Sequence, residues 1–375
     1  MPDIYPKFKA AVAQIAPSFL HREETVAIAC RAIEEAGKEG ARLIAFPESF
    51  IPGYPYWLWM EPPFAAARYF KDFFKNSVSV PSPSIDLLCR SARKARCYVV
   101  MGMTLREGGT LYNSMLFIDD QGEIMGCRRK LVPTVVERTI WGRGDGSDLC
   151  VFDTELGKIG GLICGENNMY LVKYALLAKG EQIHVANFPG SPLKPMAGFT
   201  EAIDLILRSS ALLGQIFILN AVNFVSEEME KKIFDTDAKK ASFYIHANNG
   251  GSSIIAPGGV YLQKPVLDKE MILYADIDME MIISAKWSSD CIGHYARPDV
   301  TRLLINEERY ATHEIRKAGL ELLSEQGDWE LREDLEQLAS EIEKSGSPAL
   351  KKQFADVARK HGLKNLKGKA GKPRK

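Results

Sequence analysis

Short apolar runs of strand length alternate with longer stretches of helical periodicity, and this alternation most constrains what the 375-residue chain can fold into. KFKAAVAQIA, from Lys7 to Ala16, reads as a strand, and REETVAIACRAIEEAGKE (22–39) places apolar residues at helical spacing. ARLIAFPES (41–49) returns to a buried strand that Pro47 stops. An aromatic loop, IPGYPYWLWM, precedes a helical stretch near 83–95. CYVVMGMTL, LYNSMLFID and IMGCRRK follow as strands, the last two joined by the turn DDQGE. CVFDTELGKIGGLIC reads as a hairpin about Glu155–Gly157. The second half repeats the rhythm: a helix at 169–180, the strand QIHVANFP, a helix around 197–213, the strand IFILNAV, and paired strands from 252 to 277.

Buried strands beside amphipathic helices predict sheets covered by helices, an α/β or mixed layered fold. Strands that arrive in close pairs as often as singly favour mixed sheets over a purely parallel one. The character changes after about residue 310. Residues 313–345 carry ten acidic and four basic side chains, and 346–375 carry ten Lys or Arg and one Asp. We therefore expect one domain over 1–310 and a charged extension over 311–375, a helix followed by a basic tail. That extension reads either as a solvated helix with a frayed end or as a contact between subunits.

Composition excludes several functions. Lys plus Arg and Asp plus Glu both number 48, so no overall field draws the chain to nucleic acid. Phe354 is the one aromatic among the tail lysines, which argues further against a nucleic-acid partner. The seven cysteines, at 30, 89, 97, 127, 150, 164 and 291, are scattered and lack CxxC pairs. That pattern is neither a disulfide framework nor a zinc site, and it predicts reduced thiols and no metal. The opening MPDIYPKFKAAVAQ has charges and a proline where a secretion signal needs an apolar run. ALLGQIFILNAV is too short to span a membrane and is broken by Gln215 and Asn220. The expectation is a cytoplasmic protein without a membrane partner. No GxGxxG or GxxxxGK[ST] pattern occurs, and GDGSD (144–148) lacks the downstream glutamate of a calcium loop.

Three polar residues share one context, the carboxyl end of a strand, where layered α/β folds open their clefts. Glu48 follows RLIAF across Pro47, Lys130 follows EIMGCRR, and Cys164 follows KIGGLI. A strand, thiol, glycine and turn in that order describe a nucleophile elbow. A helix starting near Asn167 or Asn168 would favour the thiolate. Glu48, drawn into a pocket, would have the raised proton affinity of a general base. Taken singly, each has a plain alternative: a small core residue, a solvated loop acid, and a basic edge beside Arg128 and Arg129. His184 lies in a strand where packing is the simpler role, and His294 lies in a loop, so a Cys–His dyad is the less favoured arrangement.

Four ordered stretches resemble the nitrilases of the carbon–nitrogen hydrolase superfamily. They are FPESFIPGYPYW (46–57), RKLVPTVVERTIWGRGDGSDL (129–149), GLICGEN (161–167) and GHYARPDVTRL (293–303), and the resemblance spans about residues 6 to 305. It implies a four-layer α-β-β-α sandwich and a Glu–Lys–Cys triad at Glu48, Lys130 and Cys164, with a second glutamate at Glu137. The implied reaction is hydrolysis of a small-molecule nitrile to a carboxylic acid and ammonia, with no cofactor. It also implies a homo-oligomer, paired through helices beside the active site and extended in many members into spirals or filaments. Tyr54, Trp57, Gly165 and Asn187 are the candidate substrate-binding residues, although the aromatic run could equally pack at an interface. Many members read Cys-Trp-Glu-His or Cys-Trp-Glu-Asn where this chain has Gly165 after Cys164. The departure bears on substrate range and on the ratio of acid to amide product. An amidase of the same superfamily is the nearest rival. A catalytically dormant assembly protein is the more distant one, and the intact triad argues against it.

Overall fold

The computed structural model describes residues 5–190, 193–194, 198–244, 249–310 and 337–360, with 339 and 343 excepted. The chain divides into two units, Met1–Arg309 and Tyr310–Lys375. In the second, the described residues include helix α9, Pro348–Lys360, which Pro348 opens where its missing N–H costs nothing. Most of the acidic stretch and the basic end of the tail lie outside the described residues.

The first unit is built on two six-stranded mixed sheets. One contains β1 (Lys7–Gln14), β2 (Ala41–Ala45), β3 (Tyr98–Glu107), β4 (Thr110–Ile118), β5 (Ile124–Arg129) and β12 (Met271–Asp278), in the order β12-β1-β2-β3-β4-β5. The other contains β6 (Phe152–Thr154), β7 (Gly157–Ile163), β8 (Ile183–Phe188), β9 (Phe217–Val222), β10 (Gly250–Ala256) and β11 (Val260–Leu267), in the order β11-β10-β9-β8-β7-β6. Each sheet has three parallel strands at its heart, β1-β2-β3 and β7-β8-β9, with antiparallel strands at both flanks. The two sheets thus repeat one pattern of strand pairing, which accounts for much of the repeated rhythm of the sequence. One strand departs from the sequence reading. β12 does not join β11 but crosses to the first sheet, where Ala275 pairs with Ala10 of β1.

Strand alternation sorts side chains into layers. In β1, Ala10 and Val12 face the second sheet, while Ala11 and Ala13 pack against α1 (Arg22–Lys38) and α3 (Pro83–Ala95). β3 does the same, with Tyr98 and Val100 inward and Val99 and Met101 toward the helices. On the far side α5 (Phe199–Gly214) contributes Ile203, Leu207 and Ala211 to the cluster that β9 and β10 share. The layers are helix, sheet, sheet, helix. The sequence reading did not contain α2 (Pro63–Asn76), α6 (Glu227–Ile233), α7 (Asp237–Phe243) or α8 (Glu280–Ser288). Pro63 at the first position of α2 was the available signal, masked by the aromatic run before it.

Two close approaches prepare the site. The Pro47–Ser49 turn crosses β3 at Gly102, where an added methyl carbon would lie 1.8 Å from the Pro47 carbonyl oxygen. Only glycine admits the turn there, and bonds between Ile51 and β3 hold it down. The segment GHYARPDVTRL leads to Leu303 and Ile305, which pack with Leu149, Leu162 and Leu176 behind the loop that follows Lys130.

Candidate active site

Glu48, Lys130 and Cys164 come from the carboxyl ends of β2, β5 and β7, on two facing sheets. The Lys130 ammonium donates to Glu48 Oε1 at 2.9 Å and to Glu137 Oε2 at 2.8 Å, and all three side chains are at most 1% exposed. Glu137 arrives on a short 3-10 turn, Val135–Thr139, whose opening Thr134 N–H donates to its Oε2. Val135 starts that turn at φ 44°, a left-handed conformation that costs a β-branched residue energy. Ser49, beside Glu48, and Cys164 itself are also left-handed, at φ 46° and 50°. Strain at three converging turns is what packing has to hold in place.

Each charged group has its own support. Glu48 accepts from Asn113 Nδ2 at 2.6 Å, and its carbonyl accepts from Asn223 Nδ2 at 2.7 Å. Its other carboxylate oxygen, Oε2, is buried and makes no hydrogen bond among the described residues. The Tyr54 hydroxyl donates to Glu137 Oε1 at 2.8 Å and accepts from the Trp59 indole at 3.1 Å. Arg128 holds the Cys164 turn through a bidentate pair with Glu166, both bonds 2.8 Å. The Glu166 carboxylate also accepts from the N–H groups of Ile163 and Leu131. One carboxylate thereby ties the residue before Cys164 to the residue after Lys130.

Burial sets the protonation pattern. It pushes the Glu48 carboxyl up to about 7, against the opposing pull of Lys130. Burial pulls the Lys130 ammonium down, but Glu48 and Glu137 together outweigh it and hold the group above its ordinary value. The Cys164 thiol is pushed well above its ordinary value by burial and then by the Glu48 charge, against Lys130 and a hydrogen bond from the Gly165 N–H. The sequence suggested a helix terminus that favours the thiolate. Instead Cys164 opens a 3-10 turn, Cys164–Asn168, and α4 begins only at Tyr170 (Tyr170–Ala178), so desolvation dominates.

The candidate substrate-binding residues fall in different places. Tyr54 touches the site through Glu137. Trp57 packs among Phe19, Tyr69 and Phe73. Asn187 lies at the end of β8 next to Ile163, fully buried, with neither amide atom hydrogen-bonded among the described residues. A side chain added at Gly165 would meet only Thr134 Oγ1, at 3.0 Å. Asn113, Asn223, Arg128 and Glu166 went unrecognised in the sequence, because their partners stand on other strands and no local spacing marks them. Among the described residues, no group of three or more His, Cys, Asp or Glu side chains could hold a metal ion, and no helix is long and apolar enough to cross a membrane.

A four-layer sandwich with a thiol, an ammonium and two carboxylates buried where its strands end defines a hydrolase-like architecture built around a cysteine. The carbon-nitrogen hydrolase family model matches residues 9–286, and the chain belongs to that family. It is 39% identical over 296 residues to a nitrilase from Bacillus sp. (strain OxB-1), covering 78% of this chain and 86% of the relative. It is 39% identical over 305 residues to an aliphatic nitrilase from Rhodococcus rhodochrous, covering 80% and 83%. The fold also matches a carbon-nitrogen hydrolase from Helicobacter pylori G27 with a TM-score of 0.61 at 21% identity, covering 78% of this chain and 97% of that one.

Proposed function

We propose that the protein hydrolyses an organic nitrile to a carboxylic acid and ammonia through a covalent intermediate on Cys164. The observation that carries the reading is the Lys130 ammonium clamped between Glu48 and Glu137 at the strand ends that also present the thiol. Relatives named nitrilases at about this level of identity support it.

Glu48 takes the thiol proton as the sulfur attacks the nitrile carbon and passes it to the nitrile nitrogen, which gives a thioimidate and leaves Glu48 ionised again. Lys130 and the Gly165 N–H face the nitrogen as negative charge develops on it. Water then adds, ammonia leaves, and a second water hydrolyses the remaining thioester to the acid. Glu48 activates each water in turn, with Glu137 holding Lys130 in place. A nitrile is a weak electrophile, so a cation fixed in a dry site is worth more here than in water. Tyr54, Gly165 and Asn187 are the residues we assign to the substrate pocket, with Trp57 packing behind them. We place the protein in the cytoplasm on its unpaired cysteines.

We infer a homo-oligomer as well. α4 exposes Tyr170 at 75% and Leu171 at 69%, and both line one apolar groove with Leu213 of α5, which a second copy would cover. The charged extension after residue 310 is assigned to assembly contacts. The decisive experiment follows ammonia release from aliphatic, aryl and arylacetonitriles and from the matching amides. Nitrile turnover that Cys164→Ala abolishes is the expected result. Turnover of amides alone would make the protein an amidase, and silence on both would leave an assembly role.

A further inference from the structure

The nucleophile turn has a second support that the reaction above does not use. The Asn167 amide nitrogen donates to the Cys164 carbonyl at 3.1 Å and to the Leu162 carbonyl at 3.3 Å. Carbonyl oxygens only accept, so the amide nitrogen must face them and the amide oxygen must point away. That oxygen meets His184 Nε2 at 3.0 Å, and His184 Nδ1 meets Glu181 Oε1 at 2.8 Å. All of these side chains are buried.

The Nε2 proton is fixed by these contacts. Nε2 faces an acceptor and must carry a proton. Nδ1 faces the Glu181 carboxyl group, which fixes the orientation of the ring. The Nε2 donor keeps the Asn167 amide turned toward Cys164, and Glu181 holds the ring in place through Nδ1. The sequence has made room for this: a methyl on Gly160 of β7 would sit 2.3 Å from Glu181 Oε1. His184 and Glu181 also line a cavity of about 300 Å³ with Lys173 and Ser210, so the chain of bonds runs from the helix face to the nucleophile.

We propose that Glu181, His184 and Asn167 form a positioning relay that holds the left-handed Cys164 turn in its reactive geometry. Cys164 sits at φ 50°, where a residue with a side chain stays only if its surroundings insist. Arg128 and Glu166 pin the turn from one side, and the relay pins its carbonyl from the other. The inference rests on Cys164 being the nucleophile of the proposed reaction.

Two readouts separate the relay from that reaction. One is kcat and KM on a nitrile, and the other is the rate at which iodoacetamide alkylates Cys164, followed by peptide mapping. Asn167→Asp, which is isosteric but cannot donate to the carbonyls, and His184→Leu should each lower kcat and the alkylation rate by about tenfold while KM stays within about twofold. His184→Gln places an amide nitrogen near the Nε2 position and should recover most of both rates. Wild-type rates in Asn167→Asp and His184→Leu would overturn the relay. So would a His184→Gln variant as impaired as His184→Leu, because that would mean packing alone. A wild-type protein that turns over no nitrile would remove the proposed function, while the alkylation series would still decide the relay.

Discussion

Lys130 Nζ lies 2.9 Å from Glu48 Oε1, and neither side chain reaches solvent. A buried ion pair of this kind is a poor source of stability, because desolvation consumes most of the attraction. In the proposed reaction its value is chemical. The ammonium keeps a carboxylate usable in a dry site, and burial keeps that carboxylate basic enough to accept a thiol proton.

The first prediction concerns pH. Burial places the Glu48 carboxyl at about 7, well above its ordinary value. The ionised form is the base, so activity should be present above that pH and fall as pH drops through it. The acid limb of kcat/KM should therefore centre near 7. Glu48→Gln should lose at least about a hundredfold in kcat and remain folded by circular dichroism. A profile flat from pH 5 to 8 would remove Glu48 as the base.

The second prediction concerns the clamp itself. Lys130→Met leaves Glu48 and Glu137 facing each other across a buried gap with no cation between them. Removing one partner of a buried pair costs roughly 3–5 kcal/mol, far more than the intact pair contributes. The variant should lose activity and melt at a lower temperature. Adding Glu137→Gln should restore part of the melting temperature and none of the turnover. A single variant as stable as the parent would mean that the carboxylates are not charged together.

The sequence exposed part of this arrangement and hid the rest for definable reasons. Glu48, Lys130 and Cys164 stood out because each follows an apolar strand, and strand ends are visible in one dimension. Glu137 came only through family resemblance, since nothing local marks a glutamate in a loop as the second ligand of a lysine. Asn223 escaped altogether: it reaches the Glu48 carbonyl across 175 residues, from the end of a different sheet. The layered fold was readable from the alternation of elements. The crossing of β12 to β1 was not, because register between distant strands is set by packing and leaves no periodic trace.

Gly165 offers the third prediction. A methyl there meets only the Thr134 hydroxyl, a group that can rotate aside. Gly165→Ala should fold with little change in melting temperature and keep activity on small aliphatic nitriles. Gly165→Trp should fill the same space and raise KM for aryl and arylacetonitriles more than for small ones. Measuring both substrate classes on each variant checks this, and equal KM changes for all nitriles would show that position 165 does not border the substrate.

Assembly provides the fourth. Tyr170 and Leu171 are large, apolar and exposed at the start of α4, and each is more costly in water than against a second copy. Leu171→Asp combined with Tyr170→Lys should reduce the sedimentation coefficient, because it puts unpaired charge into a covered apolar face. Truncation after residue 310 should also shift the assembly size. Unchanged sedimentation in the helix variant would remove α4 from the interface, and unchanged sedimentation in the truncation would remove the extension.

The last prediction tests how the strand ends that carry Lys130 and Cys164 are tied together. Arg128 spans Glu166, the Gly161 carbonyl and the Asp148 carbonyl, so its guanidinium is satisfied in the core at 0% exposure. Arg128→Met strands the Glu166 carboxylate with two backbone donors and no cation, and should cost roughly 3–5 kcal/mol. Arg128→Met with Glu166→Leu removes the stranded charge and should regain much of that stability. It should not regain activity, because the N–H groups of Ile163 and Leu131 lose their common acceptor and the Cys164 turn is no longer registered against Lys130. Thermal melts and ammonia release on the two variants separate the effects. A double variant that recovers both would show that the thiol and the ammonium find their relative positions without the Glu166 bridge.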